Sequence, residues 1–121
     1  MLPDKLSTSP GTVNVVLLSQ EGCPFCAVVR KNYLEPLAAR RLERIQVAEV
    51  ELGNRRILRD FAGREKTHEE FGRTYEVRFA PTVMFLGPRG EELAGRIVGL
   101  SRDYFGAYLE AAITSALAAG P

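Results

Sequence analysis

The residues best equipped for chemistry are Cys23 and Cys26, the two cysteines of a 121-residue chain, separated by Pro24 and Phe25. Two thiols at this spacing can make and break one disulfide. A bridge closing so short a loop removes little chain entropy, which makes it a poor structural staple, and redox exchange accounts for the pair better. Zinc or an iron–sulfur cluster is the rival use, but a closed site wants four ligands and the chain offers two Cys and a single His, His68. An intramolecular metal site is therefore not expected, and no cofactor is implied. A metal shared between two subunits, or two inert core cysteines, are the alternatives.

The surrounding elements must present these sulfurs. Val13 to Leu18 reads as a buried strand, Ser19 to Gly22 as a polar turn, and the residues from Pro24 onward as a helix with proline in its first turn. Cys23 then sits at the helix N-terminus, where unpaired N–H groups and the helix dipole favour a thiolate and lower its pKa. That makes Cys23 the attacking sulfur. Cys26, one turn further on and on the same side, is the more buried thiol that resolves a mixed disulfide.

Composition bounds the rest. With 45% hydrophobic residues the chain supports one core and one domain, and 16 Lys+Arg against 15 Asp+Glu leave a net charge of +1. This excludes a global electrostatic footprint for nucleic acid or an anionic membrane. Arg40, Arg41 and Arg44, with Arg55, Arg56 and Arg59, form local basic clusters that read as a solvated face. No apolar run reaches the length of a membrane span. The opening residues lack the apolar region of a signal peptide, so the protein is cytoplasmic or its leader is absent from this sequence. Residues 1–11, with Pro3, Ser7, Ser9, Pro10 and Gly11, read as a flexible, loosely held arm, and the domain is expected over 12–119.

Along the chain, Cys26, Val29, Tyr33 and Leu37 form a core-facing helical stripe that Pro36 breaks or kinks. Ile45 to Leu52 reads as a second strand, parallel to the first because a helix connects them. Residues 57–63 suggest a short strand or hairpin inserted before the next helix. Thr67-His68-Glu69-Glu70 has a capping-box pattern, with His68 exposed in the first turn as a bystander. Phe79-Ala80-Pro81-Thr82 then leads into Val83-Met84-Phe85-Leu86, where a cis bond is one way to accommodate the proline. Gly87 to Gly90 turns the chain into an antiparallel strand ending at Val98, and Ser101 is expected to cap a final helix. Tyr104, Phe105, Tyr108, Leu109, Ala112, Ile113, Ala116 and Leu117 recur there at helical spacing, with the aromatics assigned to the core.

This order, with a Cys-x-x-Cys helix start and a separate Ala-Pro-Thr strand start, resembles the thioredoxin superfamily over about residues 12–119. The resemblance implies an α/β thioredoxin fold, with a central mixed four-stranded sheet flanked by helices. It implies that Pro81 is cis and that the backbone of Ala80 pairs with an extended substrate segment, with Pro24, Phe25 and Thr82 completing the substrate contact. Gly90 and Gly99 also match the glycines of the family's last hairpin. The Pro-Phe dipeptide looks like a glutaredoxin's. The long spacing to Pro81, the Ala-Pro-Thr sequence and the segment 53–66 look more like thioredoxin-related periplasmic proteins, including those of sulfur-oxidation systems, and no Gly-Gly pair follows the last strand. Two departures stand out: Gly22 where thioredoxins usually carry Trp, and Leu17 where they bury an acid. Glu21 is the nearest acid in sequence and is otherwise a solvated turn residue.

The resulting expectation is a monomeric thiol–disulfide oxidoreductase, in the periplasm by resemblance. It would act on protein thiols and disulfides and be reset by a reducing or oxidising partner protein. A glutathione-dependent glutaredoxin-type reductase and a binding module gated by its disulfide are the alternatives.

Overall fold

The computed structural model describes residues 2–120. Four strands form the main sheet: β1 (Val13–Ser19), β2 (Ile45–Glu51), β5 (Thr82–Leu86) and β6 (Glu92–Val98). Their order is β2-β1-β5-β6, with β2 parallel to β1 and the other pairings antiparallel. The central strand β1 is buried at every position, which explains its unbroken apolar run. Its side chains alternate between two cores. Val13, Val15 and Leu17 join Val83 and Phe85 on one face, and Val16 and Leu18 join Ala48, Val50, Met84 and Leu86 on the other.

The first face is covered by the cysteine helix and by α4 (Phe105–Ala119), which buries Phe105, Leu109, Ile113 and Ala116. The second is covered by Phe71 of α3 (His68–Thr74) and Leu58 of the small hairpin β3 (Ile57–Arg59) and β4 (Glu65–Thr67). That hairpin is the inserted element foreseen in residues 57–63. Thr67 caps α3 with a complete capping box, its hydroxyl accepting from Glu70 N–H at 3.0 Å while the Glu70 carboxylate accepts from Thr67 N–H at 2.8 Å.

Four sequence expectations are corrected. Pro36 does not end the helix. The chain runs from α1 (Pro24–Val29) through a π-helical segment (Arg30–Leu34) into α2 (Glu35–Ala39), with Glu35 N–H reaching back to the Arg30 carbonyl. A widened turn just ahead of the proline relieves the clash that its ring would cause in a regular helix. Ser101 does not cap α4. Its carbonyl accepts from Tyr104 and Phe105 N–H in a turn that precedes the helix. Tyr104 and Tyr108 are not core residues but lie exposed against each other, ring centroids 6.1 Å apart. Of the stripe's three aromatics Phe105 is the buried one, and it meets Tyr33 at 4.8 Å.

The fourth correction concerns the first residues. Met1 lies outside the described residues, but from Leu2 onward the segment expected to be loosely held is packed. Leu2 is buried, the Pro3 carbonyl accepts from Glu49 N–H at 2.8 Å, and the Lys5 carbonyl accepts from the Gln46 side chain at 3.1 Å. Ser7 and Asn14 exchange hydrogen bonds of 2.7 and 3.0 Å. The segment therefore lies along β2, an outer strand of the main sheet, and occupies backbone groups that an open edge would leave unpaired.

Candidate active site

Cys23 and Cys26 form a disulfide, with Cα atoms 5.3 Å apart. Gly22 precedes them at φ +71, a left-handed conformation that lets the strand-to-helix turn close tightly. Cys23 is the N-cap of α1, and its sulfur accepts from Cys26 N–H at 3.2 Å. This is an orphan helix donor aimed at the sulfur that would carry negative charge after reduction. Cys23 is partly exposed, whereas Cys26 is fully buried.

The register Leu18↔Thr82 brings the start of β5 beside the end of β1, so Ala80 and Pro81 lie at the same end of the sheet as the cysteine loop. The Ala80–Pro81 peptide is cis. Thr82 is buried and donates its hydroxyl to the Phe79 carbonyl at 2.7 Å, and the Pro81 carbonyl accepts from Gly99 N–H at 2.8 Å. These bonds tie the proline loop to the end of β6. Pro24 and Phe25 are exposed beside the disulfide and share a groove with Leu100, not with Ala80 or Pro81. The predicted substrate residues thus fall in two groups, of which Pro24 and Phe25 alone line this groove.

Beneath the cysteine helix is a polar cluster that the sequence reading missed. Glu49 of β2 lies directly opposite Leu17 in the parallel register, on the sheet face that the helix covers. Its carboxylate accepts from Arg30 Nε at 2.8 Å and Nη2 at 2.7 Å, from the Ser19 hydroxyl at 2.7 Å and from Leu2 N–H at 3.3 Å. Arg30 follows Cys26 by four residues and so projects from the same side of the helix, one turn on. Burial pushes the Glu49 carboxyl up, but the hydrogen bonds from Arg30 and Ser19 outweigh it and hold the group below its ordinary value of 4.5. The hydrogen bond to Glu49 likewise raises Arg30 above its ordinary value. An acid does lie beneath the cysteine helix, then, but on the neighbouring strand and already ion-paired with Arg30. Its signal in the sequence was the alternation of Val47 and Glu49 on one face of β2, which marks Glu49 as inward.

Arg30 and Ser19 line a cavity of about 500 Å³ that also reaches Cys23, Glu21 and Glu51, while the buried Glu49 is not part of its lining. Glu21 is exposed there, as expected of a turn residue. His68, expected to be exposed, is fully buried. Its Nδ1 accepts from Glu51 N–H at 3.0 Å, so Nε2 carries the proton and donates to Asp4 at 2.9 Å. Packing of the first residues over α3 covers this ring, a long-range contact that local spacing does not signal. Among the described residues no group of three or more His, Cys, Asp or Glu side chains is arranged to hold a metal, and no helix is long and apolar enough to cross a membrane.

The thioredoxin-like domain family matches residues 5–113, nearly the whole chain and both halves of the site. The chain belongs to the thioredoxin-like family. Solved thioredoxins share its fold. The Fasciola hepatica thioredoxin has a TM-score of 0.58 and 21% identity, over 87% of this chain and 81% of that one. Thioredoxin-2 of the malaria parasite, described as a component of its protein secretion machinery, gives 0.57 and 19% over 83% and 82%. The reduced Schistosoma mansoni thioredoxin pre-protein gives 0.55 and 22% over 85% and 77%. At these identities the likeness is one of fold. No curated protein sequence matches the chain.

Proposed function

We propose that this thioredoxin-like protein is a thiol–disulfide oxidoreductase that exchanges the Cys23–Cys26 pair with the thiols and disulfides of other proteins. The observation that carries this reading is the inequality of the two sulfurs: Cys23 is partly exposed at a helix N-cap, and its bonded partner Cys26 is fully buried. In the reducing direction the Cys23 thiolate attacks one sulfur of a substrate disulfide. A Cys23–substrate bond forms, the substrate S–S bond breaks, and the departing sulfur leaves with the electron pair and is protonated by solvent. Cys26, having lost its proton, attacks the Cys23 sulfur and expels the second substrate thiolate. Two electrons have then passed from the pair to the substrate. The reverse sequence oxidises a substrate dithiol, and a partner dithiol or disulfide protein resets the pair.

Glu49 is a poor acceptor for the Cys26 proton, because hydrogen bonds from Arg30 and Ser19 favour its ionised form and lower its affinity for a proton. The proton passes to another acceptor, and the acids nearest the cysteine loop are Glu21 and Glu51, which border the cavity beside Cys23. Ala80, Pro81 and Thr82 form one wall for an extended substrate segment, and Pro24 and Phe25 the other. A monomer suffices for all of this.

The test is turnover of a peptide disulfide by the reduced protein, with a dithiol supplied for recycling. Cys23→Ser is expected to abolish turnover, and Cys26→Ser to stall after one round with the substrate bound to Cys23. A wild-type rate no faster than the dithiol alone overturns the proposal. Recycling by glutathione with no dithiol present would favour the glutaredoxin-type alternative.

A further inference from the structure

Of the eight large apolar side chains exposed among the described residues, five lie toward the cysteine end of the sheet: Phe25 and Val28 on α1, Phe79 before Pro81, Val98 at the end of β6, and Tyr104 in the turn beyond it. Exposed apolar residues clustered in this way mark a contact surface rather than random scatter. Two of these, Phe25 and Val28, line a groove of about 440 Å³ together with Pro24 and the half-buried Tyr33 and Leu100. The one ionisable side chain with a full charge on its wall is Arg102, which is exposed and makes no ion pair among the described residues. No acid lines the groove. Its neighbour in sequence, Asp103, is also exposed and does not pair with it.

We infer that this groove selects, among protein substrates, segments that carry an apolar residue with an acidic one next to it, close to the reacting cysteine. This rests on the oxidoreductase reading above and deepens it. The apolar side chain enters between Phe25, Val28 and Leu100, where it is removed from water. The carboxylate then meets Arg102, a planar donor suited to bidentate pairing. The pair forms at the rim, so it sets preference and encounter rate more than total affinity, and a preference of up to about fivefold is expected.

The experiment measures second-order reduction of three peptide disulfides that differ only in the residue after a leucine flanking the cysteine: Glu, Gln or Lys. Wild type is expected to prefer Glu to Lys by about three- to fivefold at low salt, with the preference shrinking as salt rises. Arg102→Glu should reverse the order and Arg102→Gln should flatten it. Arg40→Glu, an exposed change at the far end of the cysteine helix, should leave the order intact. Arg40→Glu should also reduce the Gln peptide at the wild-type rate. An unchanged Glu-over-Lys order in Arg102→Glu, or no order in wild type, overturns the inference while leaving the oxidoreductase reading in place. Failure of every form to reduce the Gln peptide overturns the reading itself. A rate for glutathione disulfide above that of all three peptides would make a small thiol, not a protein segment, the occupant.

Discussion

Replacing Glu49 with leucine tests whether the buried cluster fixes the cysteine helix to the sheet. Glu49→Leu leaves the Arg30 guanidinium, only 18% exposed, without its counter-ion, and strips an acceptor from the Ser19 hydroxyl and from Leu2 N–H. Breaking a buried pair on one side costs about 3–5 kcal/mol. Because Arg30 keeps some access to water, the lower end, about 3 kcal/mol, is expected. With a urea m-value of about 2 kcal/mol/M, that lowers the unfolding midpoint of the oxidised protein by about 1.5 M. Removing both partners in Arg30→Met/Glu49→Leu should recover most of the loss, since an apolar replacement leaves no stranded charge. The pH dependence has a definite sign. The folded Glu49 carboxyl is held below its ordinary 4.5, so its contribution is fully present above that value. It is lost as pH falls through the lower folded value, and Glu49→Leu should lack that part of the acid limb. Urea unfolding of the two single variants, the double variant and wild type, at neutral pH and along the acid limb, supplies all of these numbers. A cost below about 1 kcal/mol for Glu49→Leu, or a double variant that costs the sum of the singles, would refute the reasoning.

Further outcomes follow from the same geometry. In the reduced protein, iodoacetamide near neutral pH should label Cys23 before Cys26, read by peptide mass, because only Cys23 is both accessible and held at the helix N-terminus; preferential labelling of Cys26 would reverse the roles. Deleting residues 2–8 should speed amide exchange of β2, whose Glu49 N–H loses the Pro3 carbonyl; unchanged protection would mean that the segment does not guard that edge. Thr67→Ala should cost about 1 kcal/mol in chemical unfolding by removing the capping box of α3.

Much of this arrangement was legible in the sequence because it is written locally. The apolar run of β1, the proline in the first turn of α1, the capping box at Thr67 and the glycine-rich turn before β6 each specify their own backbone, and together they imply the sheet and the cysteine position. What escaped was long-range. His68 is exposed by the logic of a first helical turn, and only Asp4 and the Glu51 amide, distant in sequence, make a buried imidazole satisfiable. Glu49 shows itself in the sequence only through its alternation with Val47, and its partner Arg30 comes across from the helix. The first residues read as an arm because Ser, Pro and Gly dominate them, yet a single buried leucine and hydrogen bonds to β2 hold them down. Pro36 was expected to break or kink the helix, whereas the chain stays helical through it behind a π segment.

The most direct test of the central claim is to trap the intermediate. Cys26→Ser protein, reduced and mixed with a disulfide-bonded substrate protein, should accumulate one covalent complex whose mass equals the sum of the two chains. Peptide mapping should place its mixed disulfide at Cys23, and excess dithiol should release it. Cys23→Ser under the same conditions should trap little, because Cys26 is buried. No complex with Cys26→Ser, or a complex formed equally well through Cys26 in Cys23→Ser, would contradict the account.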